Sequence, residues 1–599
     1  MTADSSNKAD RPSRINPLIR KGFQERLRSK QMIAWGLCTL ILTCFLYTTT
    51  YLNTTEAYWR QLGTTAADGA KAAFPVLLGA QAFILMFLGT GQVAAGTAEE
   101  REAGLLDYQR MTPMNPFSKI VGYVFGLPVR EYFMFALTLP FLAHATIVGE
   151  LAVGKVLHLY GVFLSCVLLY HLTAHVTGLV VSKPRAASWV SRLVVIALYF
   201  IAGIGQMGFT FLSVLTFWPT YFGIMSEELE MSWEERAEIH EDADRFSQME
   251  FAEEPWIEHE EPPPLEYGPR GEFSVEDFWS EVPFFETTIS PSLFTLLMQG
   301  LLLAGLVAAA HRKWRNESMP AFSKPFGIGL FALLQFLLLG SLWQLYGNGR
   351  ASGLLGNFLS RNSSDFSIDD SSIILTIVQP VLFTFSLLAA VLILNVTCPT
   401  RHQYLKGKRR AAKIGLPGVP LLADEKPGWI VALCLALIMP FTHVVLLTRA
   451  GNSGLYFDEF PEIEAFLLPC LFFAACVVYL RAIRERWFTI GFWGFLGLLW
   501  ITPLLLCIVM GVAGEEDAME AIFHMGSLSP PFAFFEIATR ANELDFAPDE
   551  QHLAESLRTA AVVGTVAAWA IALFLSVSQY RLRKSWDQGE ENVQPTSSE

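Results

Sequence analysis

The chain has 599 residues, of which 52% are apolar and only 17% charged, with a mean hydropathy of +0.37. Soluble domains carry about 25% charged residues, so this balance excludes a soluble globular protein and indicates an integral membrane protein. The net charge of −14 says little about partners, because residues 220–290 hold 21 acids against three bases and leave the remainder slightly basic. All eight cysteines fall in apolar runs or, as Cys398, at the end of one, which argues against a disulfide framework.

Residues 1–15 are polar and read as disordered. From Asn16 to Lys30, Leu18, Ile19, Phe23 and Leu27 recur at helical spacing among Arg20, Lys21, Arg26, Arg28 and Lys30. That pattern describes a basic amphipathic helix lying on an anionic leaflet; a simple positive-inside anchor uses the same residues. The next apolar run, Met32 to Leu52, is too long for a signal-peptide core and lacks a good cleavage site, so it is read as a retained span.

At about 20 residues per crossing, spans are expected near 32–52, 73–95, 120–147, 156–181, 190–217 and 293–310. A second set is expected near 326–346, 372–397, 429–447, 465–480, 488–513 and 559–580. With both termini inside, the inner tails and loops carry 30 Lys and Arg against 11 in the outer loops, and inverting the topology reverses that bias. The expectation is an all-α polytopic membrane protein with about twelve transmembrane helices in two six-helix halves and an acidic extracytoplasmic insertion. Its parts are a tail and interfacial helix (1–31), a first half (32–310) containing the insertion at 220–290, a diverged second half (311–580) and a cytoplasmic tail (581–599). Each half has a charged inner loop after its second span, and each outer segment before its last span holds the same tripeptide, Phe284-Phe285-Glu286 and Phe534-Phe535-Glu536. Such aromatic, Pro-flanked stretches suit short helices dipping back into the bilayer. In the insertion, Glu227 to Glu250 reads as an acidic helix and the Pro-rich stretch after it as extended, together a solvated outer flap.

The stretch Gly96 to Lys119 sits between two spans yet holds four acids and three bases. It reads as a surface helix over residues 99–110, with Glu99, Glu100, Glu102 and Asp107 in its first turns, where the helix dipole favours anions. Pro113 ends it and Lys119 anchors the following span. The order Glu100, Arg101, Glu102, Gly104, Leu106, Asp107, then Thr112, Pro113 and Lys119, resembles the type-2 ABC exporter permease family. The resemblance is good over residues 16–310 and weak over 311–599, where the corresponding loop lacks the E-R-E and T-P elements and is basic. It implies a coupling helix at 99–110, including Glu99, that docks on a cytoplasmic ABC ATPase dimer. ATP and Mg²⁺ then belong to that partner, and this chain binds no cofactor of its own. It also implies a multi-pass protein of a bacterial inner (plasma) membrane, in contact with lipid and not with nucleic acid, in which one chain or a homodimer completes the channel.

Other signals are weaker. Gly149 to Lys155 matches the spacing of a phosphate-binding loop, but Val156 replaces the required hydroxyl residue and a span, not a strand, precedes it. No second such motif and no ATPase signature occurs, so hydrolysis is expected elsewhere. His171 and His175 are one turn apart without a third ligand, which favours helix packing over metal; no metal site is expected. Arg130 and Glu131 need a partner, a wet cavity or a shallow depth; a third span starting after Pro128 puts both at the inner surface, with residues 117–128 as a surface segment. Gln81, Gln92, Gln206, Gln299 and Gln379 line a pathway or join helices. The alternatives to an ATP-driven exporter are an ATP-independent twelve-span secondary transporter, whose loop after the second span is expected to be basic, and a membrane enzyme, for which no nucleophile or metal cluster is in view.

Overall fold

The computed structural model describes residues 16–55, 65–202, 213–229, 282–348, 378–426 and 429–452, with single gaps inside those ranges, and isolated positions from 559 to 584. Among them, six helices are long and apolar enough to cross a membrane: Lys30–Thr55, Ala66–Glu102, Val129–Val148, Val153–Val180, Pro291–Arg315 and Lys324–Gly347. All six overlap expected spans, the third only from Val129 onward. The expected fifth span is a helix as far as Ala202; residues 203–212 lie outside the described residues, and 214–217 are turns and bends ahead of the next helix at Trp218. Spans expected at 465–480 and 488–513 lie outside the described residues, as do residues 230–281 of the insertion and Phe534-Phe535-Glu536. The chain divides into two compact units, with the division near residue 315.

The first unit opens with α1 (Pro17–Arg26), which Asn16 caps by accepting from Leu18 N–H at 3.0 Å while Pro17 supplies a preset φ. The same Asn-Pro device starts α6 below. Helix α2 (Ser29–Thr55) has no single apolar stripe; Ile33, Leu37, Ile41 and Phe45 are all exposed, as suits a span facing lipid. A Thr65–Asp68 capping box starts α3 (Ala66–Ala82), which continues through a π-helical stretch (Phe83–Gly89) into α4 (Thr90–Glu102). The π stretch has a visible cause. His171 lies against Gly89, where an added Cβ would come within 2.6 Å of its Nε2, and its ring pairs with the Leu85 carbonyl at 2.9 Å.

After the short α5 (Leu105–Met111) come α6 (Pro116–Gly126) and α7 (Val129–Val148). The apolar run expected as one span over 120–147 is thus two helices broken at Leu127-Pro128, with only α7 long enough to cross. Helices α8 (Val153–Val180), α9 (Pro184–Ala202), α10 (Trp218–Leu229) and α11 (Pro291–Arg315) complete the unit. Its core is built on Phe74, Leu85, Leu159, Phe163 and Cys166, all buried. Close approach replaces the hydrophobic effect where helices meet in lipid. An added Cβ on Gly22 of α1 would lie 2.0 Å from the Gly126 carbonyl oxygen of α6, and one on Gly178 of α8 would lie 2.6 Å from Thr97 of α4.

The second unit contains α12 (Lys324–Asn348), α13 (Gln379–Thr397), α14 (Arg401–Lys413) and α15 (Trp429–Asn452). Phe284-Phe285-Glu286 is not a dipping helix. Strands β1 (Val282–Phe284) and β2 (Thr287–Ile289) form a hairpin, with Phe285 left-handed at φ 52° in the turn. Thr287, Thr288 and Ile289 favour strand over helix, and Pro283 cannot serve a helix interior. The Phe284 ring lies over Gly340 of α12, whose carbonyl accepts from Phe285 N–H at 2.9 Å, the Phe285 ring packs on Phe336 and Trp343, and Glu286 takes Trp343 Nε1 at 2.8 Å and Arg449 at 2.9 Å.

Candidate functional site

The charged elbow between α4 and α6 is built from two helices, not one. Glu99, Glu100, Arg101 and Glu102 form the last turn of the span helix, and Gly104 breaks it at φ +71°, a left-handed conformation that glycine adopts without strain. Helix α5 then runs for seven residues until Thr112 turns extended ahead of Pro113. The three glutamates therefore stand at a helix C-terminus, where the dipole disfavours anions, and only Asp107 occupies a first turn. The helix stop was legible: Gly104 follows the E-R-E run as a C-terminal glycine does.

Glu100 is withdrawn into the protein. Its Oε1 accepts from Lys21 of α1 at 2.8 Å, and its Oε2 accepts from Gln109 Nε2 at 3.0 Å and from the Tyr123 hydroxyl of α6. These partners offset the unfavourable dipole and replace solvent. Arg101 donates to the Val180 carbonyl at the end of α8 at 2.8 Å. Arg110 pairs with Asp107 and reaches the Lys313 carbonyl of α11 at 3.4 Å. Lys119 does not begin a span; it is buried in α6, and its Nζ donates to the Gln109 and Thr112 carbonyls at 2.6 and 3.4 Å, tying down the end of α5. Burial, and then Arg110 nearby, lower the Lys119 pKa, while burial, followed by the Glu100 charge, raises that of the Tyr123 phenol.

Behind the elbow, Leu106 is buried with Ile120, Tyr123, Val124 and Trp314. Trp314 Nε1 donates to His175 Nε2 at 3.1 Å, which leaves His175 Nδ1 to donate to Thr97 Oγ1 at 3.1 Å. The ring of Tyr123 packs on both His175 and Trp314, with centroids 5.1 and 5.3 Å away. His171 is likewise spoken for, between the Tyr132 hydroxyl at 3.0 Å and the Leu85 carbonyl. Among the described residues no three His, Cys, Asp or Glu side chains gather as a metal site. The front of the elbow is different. Leu105, Tyr108, Met111 and Phe117 are 44, 67, 77 and 54% exposed, and Glu99, Glu102 and Asp107 stand exposed beside them.

The remaining polar residues join helices. Gln81 of α3 donates to Thr138 of α7 at 2.8 Å and accepts from the Tyr160 hydroxyl of α8. Hydrogen bonds of this kind in lipid contribute about 0.6 kcal/mol each. Gln299 donates to the Val214 carbonyl at 2.9 Å and to Cys166 Sγ at 3.0 Å. Gln92 faces the Arg26 guanidinium at the end of α1. Burial lowers the Arg26 pKa, with Glu131 and Glu99 opposing the shift. Arg130 pairs with Glu131 at 2.5 Å and lies over the Trp35 ring, 4.9 Å from its centroid. Glu131 stands in the first turn of α7, as a span starting after Pro128 places it; its side chain is fully buried within the protein, and its Oε2 has no hydrogen-bond partner among the described residues. Gln206 lies outside the described residues. Gly149 to Lys155 forms the turn between α7 and α8, where Glu228 accepts from Ala152 N–H and Lys155, each at 2.9 Å, so this stretch closes an ion pair rather than cradling a phosphate.

Residues 14–207 match the family model described as ABC-2 type transporter. That match covers α1 to α9 and the whole elbow. No curated protein and no solved structure matches the chain.

Proposed function

Taking the chain as an ABC-2 type permease, an integral membrane component of a transport system, we propose that it is the permease subunit of an exporter powered by a separate cytoplasmic ATPase dimer. The ATPase carries the ATP and Mg²⁺, and it docks on the front of the elbow, residues 99–119. One observation carries this reading. Leu105, Tyr108 and Met111 of α5 and Phe117 of α6 present large apolar side chains to solvent, while the back of α5 is buried and hydrogen-bonded to the rest of the first unit. Exposed aromatic and Met side chains ringed by polar residues are the composition of a protein interface.

Force applied to α5 has defined routes inward. Lys119 and Arg110 hold its carbonyl end to α6 and α11, Glu100 couples it to α1, and Arg101 ties the end of α4 to α8. When the ATPases close on ATP, the elbow and these helix ends move together, and the spans behind them change the side to which the pathway opens. In this mechanism Glu100 and Lys119 transmit rather than touch the partner; the contacting residues are Leu105, Tyr108 and Met111, with Glu99, Glu102 and Asp107 setting polarity at the rim.

The test is co-purification of the ATPase with Tyr108→Ala/Met111→Ala. Removing two interface side chains of this size is expected to weaken association at least about tenfold while the permease still inserts. Full retention of the ATPase by that variant would refute docking at this face.

A further inference from the structure

The loop between α13 and α15 of the second unit presents a surface of opposite sign, and we propose that it is a docking surface for an anionic lipid leaflet. Helix α14, RHQYLKGKRRAAK, contains six Lys and Arg and no acid. It breaks from the apolar helix before it within four residues and turns by 58°. A helix hung so closely on a span lies near the membrane face, off the span axis. The proposal needs only that this chain spans the membrane; it does not depend on the ATPase partner.

The two sides of α14 have separate fates. Tyr404, Gly407 and Ala411 are buried, and Tyr404 packs with Leu405, Val419 and Ala423 of the returning loop. An added Cβ on Gly407 would come within 2.4 Å of Glu425 Cβ, so the loop lies directly on the helix. Lys324 fastens that loop by donating to the carbonyls of Ala423 and Lys426, the second at 2.6 Å, and Arg410 pairs with Glu425 at 3.0 Å. The apolar side of α14 is thereby consumed internally. On the other side, His402, Lys406, Arg409 and Lys413 recur at spacings of four, three and four residues, which aligns them in one stripe, and all four are exposed.

The loop that returns along the buried side of α14 also displays Ile414, Leu416, Leu421 and Leu422, 67, 45, 49 and 52% exposed. Backbone hydrogen bonds from Ile414, Gly415 and Leu416 to the last turn of α14 fix where the loop leaves the helix. A cationic stripe held near the membrane face is complementary to the anionic headgroups of a leaflet. The close attachment of α14 to the apolar α13, where headgroups are the nearest anions, favours the leaflet over an acidic protein partner.

The experiment uses the full-length protein in mixed micelles of equimolar dioleoyl-phosphatidylglycerol and dioleoyl-phosphatidylcholine, with retained lipids counted by native mass spectrometry. Lys406→Gln/Arg409→Gln/Lys413→Gln is expected to lower the ratio of retained phosphatidylglycerol to phosphatidylcholine at least about twofold. The charge-keeping variant Lys406→Arg/Arg409→Lys/Lys413→Arg is expected to hold the wild-type ratio. The three single Gln variants give a graded fall and keep the test readable should the triple variant misfold. An unchanged ratio across the Gln variants overturns the proposal. So does loss of a co-purifying ATPase with an unchanged ratio, which makes the stripe a protein interface. Because the lipid ratio is a readout that needs no ATPase, its failure is separate from failure of docking at residues 99–119.

Discussion

The elbow at 96–119 and the loop at 398–428 occupy matching places in the chain, each following an apolar helix and preceding another, and they present opposite chemistry. In the elbow an acid, Glu100, is drawn inward onto Lys21, Gln109 and Tyr123, and a base, Lys119, is buried as a clamp. What remains outside is a set of apolar side chains beside Glu99, Glu102 and Asp107. In the later loop the acid Glu425 folds onto Arg410, and Lys324 secures the loop by its carbonyls, leaving His402, Lys406, Arg409 and Lys413 outside. The lesson concerns charge accounting. A loop's net charge does not give the sign of the surface it presents, because partners elsewhere in the unit remove some of its charges from that surface.

The comparison also separates two kinds of bracing, and mutations break it in a graded way. Gly22→Ala brings a methyl against the Gly126 backbone oxygen, which has no side chain to yield, so α1 is expected to undock with a loss of about 3 kcal/mol. A lowered unfolding midpoint and new protease cutting at Arg20 or Arg26 are the readouts. Gly407→Ala meets the Glu425 side chain instead, which can turn aside, and about 1 kcal/mol is expected. Equal midpoints for the two would erase the distinction.

Trp314→Phe keeps the ring but leaves buried His175 without its donor, for an expected loss of about 1–3 kcal/mol in thermal or denaturant unfolding. Glu100→Gln preserves shape and removes the charge that Lys21 faces; about 1 kcal/mol is expected, with ATPase binding weakened only through the loosened α1. If Glu100→Gln instead abolished binding with no change in midpoint, Glu100 would be a contact residue. The smallest effect belongs to Arg410→Gln. Its pair with Glu425 involves a half-exposed arginine, so a change of 0 to about 1 kcal/mol is expected, decreasing further in high salt.

Some of this was legible in the residues and some was not. The six described spans follow expected apolar runs, and the Asn16-Pro17 start of the amphipathic helix is where it was read. The charged elbow between two apolar runs is legible in the residues, but a single helix over 99–110 crosses Gly104 and puts three glutamates at the wrong end of a dipole. The tripeptide Phe284-Phe285-Glu286 was read as helical because its aromatic content says nothing about a left-handed Phe285. The brace behind the elbow had no local signal. Thr97 and His175 are 78 residues apart, and His175 and Trp314 are 139 apart.

Sequence alone therefore determined where this polypeptide enters lipid and where its charges cluster, since both depend on runs of neighbouring residues and on the cost of exposing polar groups to hydrocarbon. The tertiary structure decided which of those charges face outward. A side chain is withdrawn only when a distant residue offers a hydrogen bond in place of water, and that pairing exists only once the helices have packed.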